Sequence, residues 1–491
     1  MIRHFSHSDL YLKRWSVLLV CFIVFFGCKE EEKTPAGEFL EVTVKNKDGI
    51  FLANMQVYLF KELSGDESMN TPGFAILSEK TNTEGRARIA LEGLSEKYKD
   101  QPLYVAVVER ALDNKYKVLG SNSFSISGQE GTTIMIDLTV TGNKLYYPFG
   151  YKTYVFDSQL ARSEYMRWKQ SQVVSCSGGF RVISDDHDIT LVEAMGFGTL
   201  LTAYAGEKNY FDGLMEFYDS KCNPTANGLM GWKVTCDDFI DPGSATDGDV
   251  DVAFANIVAW SQWEDQAYLN KAKEIINRIK NNLLTDCIVN GKSVKVLHPG
   301  YSGIAWGGCD LTNIMYYTPA FFRVFAEVTG DQVWNQLADD TYILLNASAN
   351  PNTGLIPNWQ TADGTPGPGG WEGIFSYDAC RAPWRMALDY LWNGNVNAKE
   401  WCNKISNWAY EQGAINIVDG YELDGTPTGS YKNSSFVGGF NVALMTNSPD
   451  KVDDFATVLE GMNDTYWFNL NTRILYLFTL TGNFWEPLID K

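Results

Sequence analysis

From about Tyr151 to its end, this chain repeats apolar residues at i, i+3, i+4 and i+7, the spacing that lines one face of an α-helix. The pattern recurs about a dozen times, near 153–171, 189–205, 208–221, 248–264, 267–282, 311–329, 331–346, 377–393, 396–411, 434–446, 450–461 and 464–480. Connections between these segments alternate between short and long. Helices joined in that way suggest six helical hairpins closed into a toroid, with the long loops gathered around a cleft at one end; the period by itself suits an open helical array equally well. Ahead of Tyr151 the period changes. "FLEVTVKN", "MQVYLFK", "ARIALEG", "LYVAVVE" and "TTIMIDLTV" are short β-branched and aromatic runs, separated by turn clusters such as "NKDG" and "NTEG". About seven strands in roughly 100 residues argue for an antiparallel β-sandwich. The predicted architecture is multidomain: a β-sandwich over 37–142, then an all-α unit over 148–491.

The first residues read as a leader. Arg3, Lys13 and Arg14 precede the apolar run "WSVLLVCFIVFF", which is short for a bilayer span and suits a signal peptide over 1–27. It ends in "FFGC", which resembles a bacterial lipobox, with Cys28 as the lipidated first residue of the mature chain. The following "KEEEK", in the linker 28–36, resembles the surface-export signal of Bacteroidota lipoproteins. The expectation is an outer-membrane lipoprotein facing the cell exterior, held to the membrane through Cys28, and a monomer. The sandwich is similar to the carboxypeptidase-regulatory-like domains that precede catalytic units in exported bacterial proteins. It reads as a spacer, with accessory glycan binding as the alternative.

A formal charge of −20 leaves nothing to neutralise phosphates, so nucleic acid is excluded as a partner. Aromatic residues make up 14% of the chain, and rings with polar tips suit sugar-stacking clefts. Of nine cysteines, Cys21 leaves with the leader and Cys28 is lipidated; the odd remainder requires a free thiol, and pairs such as Cys222 with Cys236 are open to it. With no CxxC pair, and only His187 and His298 beyond the leader, zinc is not expected.

The stretch "SATDGDVDVAFANIVAW" sets Asp247, Asp249 and Asp251 at alternate positions before an apolar helix. A calcium loop starting there needs Gly and Glu where the chain has Val252 and Val258. Capping by carboxylates at a helix start accounts for part of the cluster. "DITLVEAMGFGTLLTAYAG" places Glu193 in an otherwise apolar helix, where Ala194, Gly196 and Gly198 let another backbone or a substrate come close. A carboxyl in such surroundings is expected to have a raised pKa, as a general acid needs, unless an arginine pairs with it. "WEGIFSYDACRAPWRMALDY" sets Asp378 at a helix start, with Arg381 and Arg385 one and two turns on. Those arginines keep a carboxylate ionised, as a general base requires, or form a purely structural ion pair.

Together these stretches resemble glycoside hydrolase family 8. Its acid motif E-G-M-G-[YF]-G stands here as "EAMGFG", with Ala194 for the usual glycine; A-[ST]-D-[AG]-D stands as "ATDGD", and Y-D-A-x-R-x-P-W-R as "YDACRAPWR". "GLMGW", "MYYTPAFFRVFA" and the closing "LTGNF" echo the family further. The resemblance implies an (α/α)6 barrel and inverting hydrolysis of β-1,4-linked polysaccharide without metal or organic cofactor. It assigns Glu193 as acid, Asp378 as base, and Asp247 as the carboxylate that holds the sugar distorted, leaving Asp249 and Asp251 to cap and brace the helix. Acid and base carboxyls about 6.5–9.5 Å apart leave room for the attacking water. Trp232, Tyr316 and Tyr377 are the expected substrate contacts, with Arg381 steadying Asp378. "DGDVDV" and "MYYTPAF" are closer to members acting on cellulose or mixed-linkage β-glucan than to xylanases, and Asp378 in "YDACR" argues against the chitosanase branch. Xylanase, reducing-end exo-oligoxylanase and chitosanase action remain the alternatives within the family. The loop "DGTPGPGG" is expected to narrow one end of the cleft. A glycan-binding lipoprotein that has lost turnover is the rival class; a helical-toroid polysaccharide lyase lacks the Tyr/His or Arg-rich site it needs.

Overall fold

The computed structural model describes residues 39–488 apart from 47–48, 50, 53–54, 65–70, 83, 99–100, 111–115, 127–132, 141–146 and 185. The expected signal peptide, Cys28 and the linker lie outside the described residues. The first part carries strands β1 (Phe39–Asn46), β2 (Gln56–Phe60), β3 (Leu77–Lys80) and β4 (Arg86–Ala90), a short helix α1 (Leu94–Lys97), then β5 (Pro102–Arg110), β6 (Tyr116–Ser125) and β7 (Thr133–Val140). One sheet has the order β4-β1-β7 and the other β3-β2-β5-β6. Alternation on β1 and β4 turns Leu40, Val42, Val44, Ala87 and Ile89 inward, onto Val57, Leu59, Val105 and Val107 of the other sheet. The antiparallel expectation fails at one pair. β1 and β7 run parallel, from Phe39 opposite Thr133 to Asn46 opposite Val140. They are the first and last strands here, so no hairpin turn joins them and turn signals carry no information on their direction.

The rest of the described chain is built on twelve helices: α2 (Ser158–Gln172), α3 (Val192–Tyr204), α4 (Lys208–Ser220), α5 (Thr246–Trp263), α6 (Gln266–Leu283), α7 (Pro319–Thr329), α8 (Val333–Ser348), α9 (Ala382–Asn393), α10 (Val396–Gln412), α11 (Ser434–Leu444), α12 (Pro449–Glu460) and α13 (Trp467–Leu480). Side chains accept from free first-turn N–H groups at several starts: Asp157 on α2, Asp265 on α6, Asn395 on α10 and Asn433 on α11. α3, α11 and α13 are buried nearly all round, whereas α4, α6 and α12 bury one face. α3 packs on α5 and α13, α13 on α11, α11 on α9, and α9 on α7; α4, α6, α8, α10 and α12 each pack on the helix before them in sequence. Phe254 of α5 stacks flat on Phe321 of α7 at 3.6 Å between centroids.

Three helices start five or more residues later than their apolar period suggests, α2 at Ser158 rather than 153 and then α7 and α9, and the last two matter for the site. In the expected segment 311–329, Pro319 disfavours a helical conformation at Thr318, which has φ −125° and ψ 88°. A separate 3-10 turn, Ile314–Tyr316, therefore precedes α7. In 377–393, Pro383 has no N–H for an intrahelical bond, and Ala379–Arg381 forms its own turn ahead of α9. Tyr316, Tyr377 and Asp378 consequently sit outside regular helix.

Cys176 is bonded to Cys236 and Cys287 to Cys309. The pairing of Cys222 with Cys236 does not form, because Cys236 is bonded to Cys176; the Cys222 thiol donates to the Tyr218 carbonyl instead. Among the described residues Cys222, Cys380 and Cys402 are free.

Candidate active site

Glu193 occupies the first turn of α3, and Asp247 and Asp249 the first turn of α5. Glycine brings these two helix starts together. A Cβ on Gly248 would lie 2.5 Å from the Val192 carbonyl and 2.8 Å from the Glu193 nitrogen. One on Gly196 would lie 2.9 Å from the Asp251 Cβ. The backbones can touch only where both positions lack a side chain, and that contact sets Glu193 beside Asp247.

The turn before α9 completes the cluster. Arg381, fully buried, places Nη1 against the Glu193 carboxylate and 3.5 Å from Asp247 Oδ2, while Nη2 donates to Asp378 Oδ1 at 3.2 Å. A single guanidinium thus reaches all three carboxylates, from three separate stretches of chain. The arginine pairing open to Glu193 is present, and it lies inside the carboxylate cluster. Burial, with the nearby Arg385 charge adding to it, pulls the Arg381 pKa down.

One cation cannot balance three anions in a dry site, and the carboxyls respond. Burial lifts Asp247 to about 7; Arg385 opposes this, and the Asp251 and Asp378 charges add to it. Its Oδ1 has no hydrogen-bond partner among the described residues. Asp378 keeps 33% of its side chain exposed, yet desolvation by the packed protein around it raises it to about 6, against the Trp359 hydrogen bond and helped by the Glu372 charge. Arg385 does not join Arg381 in holding Asp378. It forms a two-pronged pair with Asp251, 2.8 Å on each arm, and donates to Thr318 Oγ1 at 2.6 Å. Asp249 accepts the Tyr218 hydroxyl at 2.5 Å, and burial raises it to about 8. Neither Asp249 nor Asp251 caps α5, whose start has no side-chain cap. They brace α5 against α4 and α9 because both side chains are fully buried and find partners on those helices.

The expected aromatic residues fall in different places. Tyr316 is buried with its hydroxyl near Asp247 and Asp378; burial and those two charges push its pKa up. Tyr377 turns toward Asp419, donating at 3.0 Å, and its ring meets Phe436 and Phe468 edge-on. Trp232 is half-buried. Its backbone accepts from Val192 and donates to Gly243, tying the start of α3 to the segment before Asp247.

Sequence reasoning missed a wall contributed by loops. Trp359 donates Nε1–H to Asp378 Oδ2 at 3.0 Å. Its ring lies 4.4 Å from Trp371, 6.3 Å from Trp306 and 6.0 Å from Tyr316. Trp371, 45% exposed, follows the Gly-Pro stretch and sets its ring beside the others. The only signal for these residues was the high tryptophan content, since irregular loops carry no period.

A sequence profile described as "Glycosyl hydrolases family 8" matches residues 143–481. Endoglucanase 2 of Ruminiclostridium josui is 35% identical over 360 residues, covering 69% of this chain and 75% of the relative. Endoglucanase A of Acetivibrio thermocellus is 35% identical over 365 residues, covering 70% and 74%. The solved structure of a β-1,3-1,4-glucanase from Paenibacillus sp. X4 superposes with a TM-score of 0.61 at 24% identity, over 70% of this chain and 98% of that one.

Proposed function

Because the chain belongs to family 8 of the glycosyl hydrolases, we propose that it is an inverting endo-β-1,4-glucanase acting on cellulose or mixed-linkage β-glucan. The observation that carries the reading is the single Arg381 guanidinium shared by Glu193, Asp247 and Asp378. Glu193 gives its proton to the glycosidic oxygen as the bond to C1 breaks, and the carboxylate it becomes is formed against Arg381. Asp378 takes a proton from the water that attacks C1 from the opposite face, which inverts the anomeric centre. The two residues exchange protons with solvent before the next turnover. Asp247 accepts from a hydroxyl of the distorted sugar. Trp371 and Trp306 offer stacking faces, and Trp232, Tyr316 and Tyr377 complete the contacts.

The glucan assignment draws on the endoglucanase relatives. The helix neighbours, with α3, α5, α7, α9, α11 and α13 inside and α2, α4, α6, α8, α10 and α12 outside, support an (α/α)6 barrel over 148–491. The domain at 37–142 serves as a spacer behind a lipid anchor at Cys28, on a monomeric lipoprotein of the Bacteroidota type at the outer cell surface. Two disulfides favour such an oxidising location.

Product analysis of the purified protein on carboxymethylcellulose, barley β-glucan, xylan and chitosan tests the reading, with Glu193→Gln as control. Oligosaccharides from the glucans, released as α-anomers by early-time NMR and absent with Glu193→Gln, are the expected result. Products from xylan or chitosan alone would replace the substrate. Polymer binding without products from any of them would move the chain to the binding class.

A further inference from the structure

Residues 358–359 belong to a loop between α8 and α9 that neither the apolar period nor the motifs singled out, yet their side chains hold the turn that carries Asp378. The Asn358 side chain is clamped at both ends. Its Oδ1 accepts the backbone N–H groups of Ser376, at 3.0 Å, and Ala379, at 2.8 Å, on either side of Asp378. Its Nδ2 donates to Glu372 Oε2. The backbone is paired as well: Asn358 N–H donates to the Ile374 carbonyl at 2.7 Å and Trp359 N–H to the Glu372 carbonyl at 3.0 Å. Trp359 then donates its indole N–H to Asp378 Oδ2, while Arg381 serves Oδ1. Both carboxylate oxygens therefore have a fixed donor, and the peptide groups around them hang on one amide.

Resting on the reading of Asp378 as general base, we propose that Asn358, Trp359 and Glu372 form a bracket of positioning residues that fixes the orientation of the Asp378 carboxylate toward the attacking water. Asn358 holds the turn, Trp359 holds one oxygen, and Glu372 holds Asn358 in the amide orientation this requires. The bracket also gives two members opposite electrical effects on the same group. The Trp359 N–H favours the ionised carboxylate, and the Glu372 charge disfavours it. The other charged or titratable groups facing Asp378 are Arg381 beside it, Asp247 across the guanidinium, the Tyr316 hydroxyl from the turn before α7, and the Cys380 thiol.

The test is the pH profile of kcat/KM on barley β-glucan for three variants of the full chain. Trp359→Phe keeps a ring and removes the donor; the acid limb is expected to move up by about one pH unit, with kcat down about tenfold and KM little changed. Glu372→Gln keeps an acceptor for Asn358 and removes the charge. Its acid limb is expected to move down by about half a unit, with kcat within about threefold of the wild type. Glu372 is exposed, so this variant is expected to fold whatever happens to Trp359→Phe. Displacement in opposite directions is what a loop that merely packs cannot produce. Limbs that stay in place, or move together, would overturn the bracket. Asp378→Asn separates the two readings: if it retains full turnover, the base assignment falls and the bracket with it, whereas an inactive Asp378→Asn beside unmoved limbs refutes the bracket alone.

Discussion

Replacing Asp251 by alanine probes the support beneath the site. Its carboxylate and the Arg385 guanidinium are buried and joined by two hydrogen bonds of 2.8 Å. Burial raises Asp251 even against Arg385, while for Arg385 burial is overcome by Asp251 together with Asp247 and Tyr476; the two-pronged geometry is that of an ion pair, with both groups charged. Removing one partner of a buried pair costs about 3–5 kcal/mol, because the other charge is left in a dry interior. Arg385 keeps Thr318 as an acceptor and Asp247 as a nearby charge, so about 3–4 kcal/mol is expected. Over the helical unit, unfolding entropy of about 2.1 cal/mol/K per residue gives about 0.7 kcal/mol/K, and Tm should fall by about 4–6 °C. Differential scanning calorimetry at pH 6.5 measures it. The double variant Asp251→Leu, Arg385→Met replaces the pair by apolar volume and should recover most of the loss. A shift below about 1 °C for Asp251→Ala, or a double variant no more stable than the single, would refute the picture of two mutually dependent charges.

With Asp378 at about 6, kcat/KM should fall roughly tenfold per unit below that pH, as the base becomes protonated; an acid limb at the ordinary carboxyl value of about 4 would contradict its desolvation by the surrounding site. Asp249 has a folded pKa of about 8, far above its unfolded value. Folded protein thus holds a proton that unfolded chain has released, and this contribution to stability is complete at low pH and lost as pH rises toward 8. Asp249→Asn should flatten the decline in Tm between pH 5 and 8, and an unchanged slope would reject it. In the chain-entropy treatment, serine pairs replacing Cys176–Cys236 and Cys287–Cys309 should cost about 4 and about 3 kcal/mol, the longer loop losing more; urea unfolding would read a reversed order as evidence against loop length as the cause.

The helices were legible because each buries a face or its whole girth, and burial writes a 3.6-residue period into the sequence. The starts at Pro319 and Ala382 shifted where proline chemistry overrides the apolar pattern, and that of α2 shifted to the residue after the Asp157 cap. Glu193 could be singled out as a carboxyl among small or apolar neighbours, Asp247 by its cluster of aspartates and Asp378 by its arginines, while their roles came from the resemblance of three motifs to the family. What each carboxylate touches was far less legible. Arg385 lies two turns beyond Asp378, and helical spacing points them at each other; the 3-10 turn between them sends Arg385 instead to Asp251, 134 residues away. Asn358 and Trp359 left no trace, since a loop residue that holds another loop by its backbone obeys no period. The parallel β1–β7 pair was hidden for a related reason, as turn residues describe neighbours in sequence alone.

The helical unit joins its beginning to its end. The Tyr147 hydroxyl donates to the carbonyls of Thr479 and Phe484, Trp168 Nε1 donates to Asn471, and the Tyr204 hydroxyl donates to the Trp485 carbonyl, at sequence separations from 281 to 337. Phe484 packs among Tyr204, Phe321, Trp384 and Trp392, closing the aromatic core from the last described residues. A nascent chain that has made α2 through α12 still lacks the partners of Tyr147, Trp168 and Tyr204. Native packing waits for the final segment to emerge, and contacts of such long range make the closing step slow. Until then α3 and α11, buried nearly all round in the folded protein, lack part of their cover.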